Sequence, residues 1–584
     1  MTKDLFRCLL ALVAVAALAS CTPESPADSS VLTCTAWSGY ESFWNLAEDA
    51  GIELERDTYA GANRTDYSWI QMQAGETSDI FITSQILDEN LAKENLVDLS
   101  GYDLINDFPT AILNQVSIDG GVYLLPVNYS MYGILYNKTL MEEHGWETPE
   151  NFEQLEKLCG EIRAAGLIPG VIGTQLTGGP FSTVFNLAKT SWFTTPEGME
   201  WEKRFLAGNA TAAGTWEGTM DYVQRYIDIG MLTTDPEDRN DPHIVLDYLG
   251  NREAVFCTVV LNVNITQLPE TGDKLGMMPF ISEDGSKNIY MYSPTSYIGL
   301  SKRLTQPGNE KKLEQAIRML SLLYSPEGQS TFITDQTPCL LSVLASTRLS
   351  EDALIYDAQQ ALWEGRAFPM TYARWESVLS DMGQAYKEWF RGENGMDGPA
   401  CIARMDELQN SYLERSDHLY FCESTADFTL EETAQLLGKA LGSAVGADAV
   451  LVPVGTFYQE GTHLRACVTG KLYKGKISTG VSNSIAPAMD GTYGVASMTG
   501  AQIKELAQAG FDAAGDGKPF PYVLVTRGEP KDEAVCRVAF LMGGYTEEAA
   551  QTYGIQEEKG SLRAFLRDWL EEQKTVSPGG NPWK

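Results

Sequence analysis

Between Val31 and about Tyr420, short apolar runs such as Ile80-Phe81-Ile82, Tyr123-Leu124-Leu125 and Ala254-Val255-Phe256 alternate with stretches of helical periodicity. Runs that brief read as strands, and their alternation with helical segments predicts an α/β architecture. From Lys311 to Tyr324 the apolar positions Leu313, Ile317, Leu320 and Tyr324 recur at helical spacing and stop before Pro326, so this stretch predicts a helix with one buried face. From Trp363 to His418 the pattern is mostly helical and amphipathic, broken by the Gly/Asn-rich stretch Arg391 to Gly398. A second segment then begins. Thr429 and Glu432 have capping-box spacing, which predicts a helix through Val445, and Ala449 to Val454 reads as a strand. There is no internal repeat, and the boundary between segments falls near Glu423 to Phe428.

The N-terminus has a different pattern. Lys3 and Arg7 precede the apolar run Cys8 to Ala19, which is too short to span a bilayer comfortably and reads as a signal-peptide core. The following Leu18-Ala19-Ser20-Cys21 resembles a bacterial lipobox, which implies cleavage before Cys21 and lipidation of its sulfur. Residues 1–21 are then the lipoprotein signal, and the Pro/Ser/Asp-rich residues 22–30 a flexible tether. Two or more acyl chains anchor stably where one does not. The expected location is the cell membrane, lipid-anchored on its extracytoplasmic face. An ordinary secretory signal is the competing reading.

Composition narrows the classes. With 584 residues, 43% hydrophobic and 21% charged, the chain can bury a sizeable core. Its 79 acidic residues against 43 basic ones give a net charge of -36, which repels phosphate backbones and argues against a nucleic acid partner. Besides Cys8 and Cys21, eight cysteines are scattered without C-x-x-C or metal-ligand spacing. Most lie in apolar stretches, as buried free thiols do, although export is compatible with one or two long-range disulfides.

The run Tyr123-Leu124-Leu125-Pro126-Val127-Asn128-Tyr129, then Leu135-Tyr136-Asn137-Lys138 and His144-Gly145-Trp146-Glu147-Thr148-Pro149, resembles the family 1 extracellular solute-binding proteins of ABC importers. Ala74-Gly75 followed by Ser78-Asp79-Ile80, Gly250 to Phe256, Tyr297 to Lys302 and Ser325-Pro326-Glu327-Gly328-Gln329 agree in order, with Ser78 where the family usually has Pro. The resemblance implies a two-lobed periplasmic-binding-protein-like fold over residues 31–422. Its lobes, joined by two or three crossings, would close over a solute in the cleft. Such proteins usually carry sugars, held by aromatic faces and directed hydrogen bonds. Candidate ligand contacts are Trp37 and Tyr40 after the first strand, Tyr129 and Tyr132 at the first crossing, Asn262, Tyr297 and Trp363. Core packing is the competing reading for each, and the favoured one for Trp192, Trp216, Trp375 and Trp389.

The second segment, residues 428–572, resembles the C-terminal domain of 5'-nucleotidases, a smaller α+β unit, and leaves residues 573–584 as a tail. The resemblance rests on Ala447 to Gly455, Gly470 to Gly475 and Met498-Thr499-Gly500-Ala501-Gln502-Ile503-Lys504-Glu505-Leu506. In that family the domain clamps a nucleotide with aromatic residues while a separate metallophosphatase domain does the chemistry. The clamp motifs are eroded here. Tyr458 stands where the family has Arg, Ala488-Met489-Asp490-Gly491 where it has Pro-Phe-Gly-Asn, and only Gly543-Gly544-Tyr545 remains of the Gly-rich loop. Phe457, Tyr458, Tyr493 and Tyr545 are the residues on which a vestigial nucleotide site would rest.

Catalytic patterns are lacking. The four histidines, His144, His243, His418 and His463, have no pair spacing for two metals, and Asp241-Pro242-His243 follows no apolar strand. No Gly-x-Ser-x-Gly elbow or Walker loop occurs. Glu142-Glu143 and Glu431-Glu432 read as surface carboxylates, and Asp235 to Asp241 as a solvated loop without the alternation of a calcium site. The expectation is a non-enzymatic, monomeric, cofactor-free and metal-free protein that captures a small solute, with a carbohydrate as first candidate, for ABC permease subunits. The alternatives are a nucleotide- or nucleoside-binding protein and a 5'-nucleotidase-related surface hydrolase.

Overall fold

The computed structural model describes residues 31–35, 41–57, 64–174, 178–239, 241, 244–258, 268, 271–331, 339–370, 375, 378–416, 420–455, 466–487, 490–513, 515, 517–580 and 583. Cys21 lies outside them. In the first lobe a five-stranded sheet runs in the order Leu54–Asp57, Leu32–Thr35, Ile80–Thr83, Tyr297–Leu300, Leu125–Pro126. The first three strands are parallel, and Tyr297–Leu300 returns antiparallel. The unbroken apolar run at Ile80 is explained by burial of that whole strand. The helix Glu310–Leu323 forms as its spacing predicts, but buries Ala316, Met319, Leu320 and Leu323, while Leu313 and Ile317 are half-buried at the edge.

The second lobe holds a sheet ordered Leu275–Met278, Ile134–Asn137, Ala254–Thr258, Ile168–Ile172. Trp216 and Trp375 are fully buried in its core with Phe181, Phe185 and Phe205, and Trp192 and Trp389 pack into the same cluster. A third sheet joins the lobes in the order Leu340–Leu341, Tyr129–Tyr132, Tyr290–Pro294, Ala367–Pro369. The chain enters the second lobe through Tyr129–Tyr132, returns through Tyr290–Pro294, and crosses again at Ala367–Pro369. The last strand interrupts a stretch expected to be helical. It is three residues long and is held by parallel pairing with Tyr290–Tyr292, too short to leave a period in the sequence.

Beyond the lobes, Tyr420–Ser424 pairs with Gly475–Ser478 and with Thr575–Val576, so strands from both ends of this segment share one sheet. Trp583 packs against Gly442, and Lys439 Nζ donates to the Gly580 carbonyl at 2.8 Å. A five-stranded sheet follows the order Tyr522–Thr526, Ala449–Pro453, Val535–Leu541, Gly491–Thr499, Gln556–Gly560. The helix Leu430–Val445 opens on the Thr429/Glu432 capping box, and Gly500–Ala509 opens on a second one from Thr499 and Gln502. This unit sits on the first lobe, where the helix Thr479–Ile485 packs on the helix Arg64–Gln73.

The eight described cysteines are free, and seven are buried. Burial pushes the Cys159, Cys401 and Cys467 thiols up to about 12. Among the described residues no helix is long and apolar enough to cross a membrane.

Candidate functional site

Strand direction places the site. In the first lobe the parallel strands Leu32–Thr35 and Ile80–Thr83 end at Thr35 and Thr83, and Tyr297 starts the returning strand opposite Thr83 and Pro126. In the second lobe Ile168–Ile172 and Ala254–Thr258 end in parallel, and Ile134, just past the first crossing, lies opposite Thr258. Both sheets therefore turn the carboxyl ends of their parallel strands toward the crossings. That is where open α/β sheets bind ligands, because side chains and loops converge there beyond the last ladder bonds.

The first-lobe rim is polar. The Thr83 hydroxyl accepts from Trp69 Nε1 at 3.0 Å and donates to the Gln85 carbonyl at 2.9 Å, and the Thr65 and Ser84 hydroxyls hydrogen-bond each other. On the second-lobe side the buried Thr258 hydroxyl has no hydrogen-bond partner among the described residues. Tyr129 is fully buried in the first crossing, edge-on to Tyr292 with ring centroids 5.1 Å apart. Its hydroxyl has no partner among the described residues, and burial, reinforced by Tyr292 and Tyr297, pushes its pKa well up.

Tyr132 and Tyr297 are half-buried, and they belong to opposite lobes: Tyr132 packs on the second-lobe core and Tyr297 on the first. Trp363 is half-buried at the end of the helix Tyr356–Trp363, with the Arg348 guanidinium 3.7 Å above its ring. Trp37, Tyr40 and Asn262 lie outside the described residues. The rim group of Thr65, Trp69, Ser84 and Gln85 was not singled out from the sequence. The available signal was Thr83-Ser84-Gln85, a polar step directly after an apolar strand.

Several motif residues act within the lobes. Asp79 accepts from the Thr33 amide at 3.0 Å, from Arg303 at 2.8 Å and from Lys312 at 3.4 Å. Asn137 caps the helix Lys138–His144 and donates to Asp273 at 2.7 Å, while Arg252 bridges Asp273 and Glu143. Pro236 to Arg239 are exposed as a solvated loop, but Asp235 departs from that expectation: it is buried, bonded by Arg239 and Tyr248, and the Arg239 hydrogen bond draws its pKa well below the carboxylate range. Among the described residues no group of His, Cys, Asp or Glu is gathered to hold a metal ion.

In the C-terminal unit, Tyr493 and Tyr545 lie on opposite faces of the five-stranded sheet, in separate apolar clusters. Tyr493 donates to Glu558 at 2.6 Å, and Tyr545 packs on Phe540. The structure does not bring these two rings together. Phe457 and Tyr458 lie outside the described residues.

Two sheet-centred lobes joined by three crossing strands, with the parallel strand ends turned toward the crossings, define a two-lobed α/β fold. The profile of the family described as "Bacterial extracellular solute-binding protein" matches residues 45–356, more than half of the chain, and the chain belongs to that family. It is 30% identical over 79 residues to a multiple sugar-binding protein of Streptococcus mutans. That match covers 13% of this chain and spans 19% of the relative's length. Among solved structures, a Bacillus subtilis binding protein named msme, in an open conformation, superposes with a TM-score of 0.54 at 13% identity, covering 67% of this chain and 99% of that one. The solute-binding protein RafE in complex with raffinose gives 0.51 at 15% identity, covering 65% and 99%.

Proposed function

We propose that this chain is a lipid-anchored capture protein on the extracytoplasmic face of the membrane, which binds a small carbohydrate between its lobes and delivers it to an ABC permease. The observation that supports the reading is that both sheets turn their parallel strand ends toward the crossings, with Tyr132 and Tyr297 on opposite lobes and the Thr83 hydroxyl opposite Tyr297. Aromatic faces and directed hydrogen bonds are what a sugar's C–H faces and hydroxyls require. The printed names of relatives, a multiple sugar-binding protein and a raffinose complex, support the carbohydrate class. The lipobox at Cys21 supports the anchor.

The C-terminal unit is read as retaining the 5'-nucleotidase C-terminal fold without its clamp. The strand, Thr-Gly turn and helix at Met498 to Leu506 support the fold, and the separation of Tyr493 from Tyr545 favours a packing role. Binding without turnover is the proposed activity. Calorimetry of residues 22–584 against mono-, di- and trisaccharides, including raffinose, tests it. Saturable binding of one sugar is expected; tight binding of adenosine or AMP with no response to any sugar would overturn the carbohydrate assignment.

A further inference from the structure

The C-terminal unit is seated on the helix Arg64–Gln73, which also builds the cleft rim. At the helix's start, Thr65 bonds Ser84, and Trp69 Nε1 donates to both Thr83 and the Gln85 carbonyl, so this helix holds the strand end that faces the cleft. Its far side receives the helix Thr479–Ile485. A Cβ on Gly480 would come within 2.4 Å of Asp66 Oδ2, so the Asp66 carboxylate lies against Gly480 where the two helices pack. Just beyond the helix, buried Tyr473 donates to Glu76 Oε2 at 2.6 Å and Lys471 pairs with the same oxygen at 3.2 Å.

We propose that the C-terminal unit is a buttress for the first-lobe wall of the cleft, with Tyr473, Glu76 and Gly480 as positioning residues that tune solute affinity without touching solute. This rests on the reading of the cleft as the solute site. The physical link is short and continuous. Interdomain contacts fix the helix, the helix fixes Thr83 to Gln85, and those residues form the rim. Ordering that rim in advance reduces what the solute must order on binding. An isolated exposed ion pair contributes little, so the buried Tyr473 hydroxyl and the close helix contact at Gly480 carry the coupling, with Lys471 adding to it.

Gly480→Leu wedges the helix contact while placing a good helix former near the start of its own helix. Glu76→Ala removes the acceptor, and Glu76→Gln keeps one. Measured on residues 22–584, Gly480→Leu and Glu76→Ala are expected to weaken binding of the sugar identified by calorimetry about threefold to tenfold. They are also expected to raise amide exchange in 64–73 and 83–85, while Glu76→Gln stays within about twofold of the parent. A purely structural role would not distinguish Gln from Ala by affinity at matched melting temperature. Unchanged exchange at 83–85 together with unchanged affinity in Gly480→Leu would overturn the buttress. If no sugar binds the parent protein, the carbohydrate reading falls, and exchange at 83–85 alone decides the buttress: increased exchange supports it, parental exchange overturns it.

Discussion

Asp79 sits where two strands of the first lobe meet a helix and the turn after the returning strand. Burial alone would raise its pKa. The Arg303 and Thr33 hydrogen bonds and the Arg303 and Lys312 charges outweigh that and hold it below the ordinary value. A depressed folded-state pKa means the stabilisation is fully present above the unfolded value, about 3.9, and is lost as pH falls through the folded value. The first lobe should therefore lose stability below about pH 4, and Asp79→Ala should cost about 3 kcal/mol at neutral pH by leaving the Thr33 amide and two cations unmatched. Thermal melts between neutral and acid pH check both, since the variant's acid limb should be shallower than the parent's. Asp79 was legible in Ser78-Asp79-Ile80. Its partners Arg303 and Lys312 were not, being 224 and 233 residues away. In the cleft, Tyr297→Ala is expected to weaken sugar binding about tenfold, the loss of one aromatic contact. Calorimetry reads the affinity, and a melting curve separates it from loss of first-lobe packing.

Elements whose ends are marked by local chemistry were the readable ones. Thr429 and Glu432 satisfy each other's backbone groups within one turn, so nothing distant is needed to start the helix Leu430–Val445. Thr429→Ala should destabilise the C-terminal unit by about 1 kcal/mol, and urea melts followed by tryptophan fluorescence should show it. The strand Ala367–Pro369 was hidden because its order comes from Tyr290–Tyr292 and not from its own three residues. The rim helix was hidden for a related reason. Arg64–Gln73 is mostly polar, yet it buries Ser68 and Gln71 along with Tyr67, Trp69 and Met72. Part of its burial comes from a unit more than four hundred residues later, which a local periodicity cannot reveal.

At the scale of the molecule, crossing strands and the apolar cluster around them connect the two lobes, whereas the first lobe and the C-terminal unit are joined by helix packing, a buried tyrosine hydroxyl and an ion pair. Hinge motion concentrates where few groups must be rearranged, so solute should move the second lobe against a body made of the first lobe and the C-terminal unit. The two-lobed plan was legible from ordered motifs, but this division of motion was not, because it depends on which surfaces meet. Exposed Glu94, Glu156 and Glu548 lie on the first lobe, the second lobe and the C-terminal unit. Spin labels placed there in a Cys536→Ser background should show the 94–156 distance shortening with saturating sugar and the 94–548 distance unchanged. A change in 94–548 of the same size would mean that the C-terminal unit moves independently of the lobe it rests on.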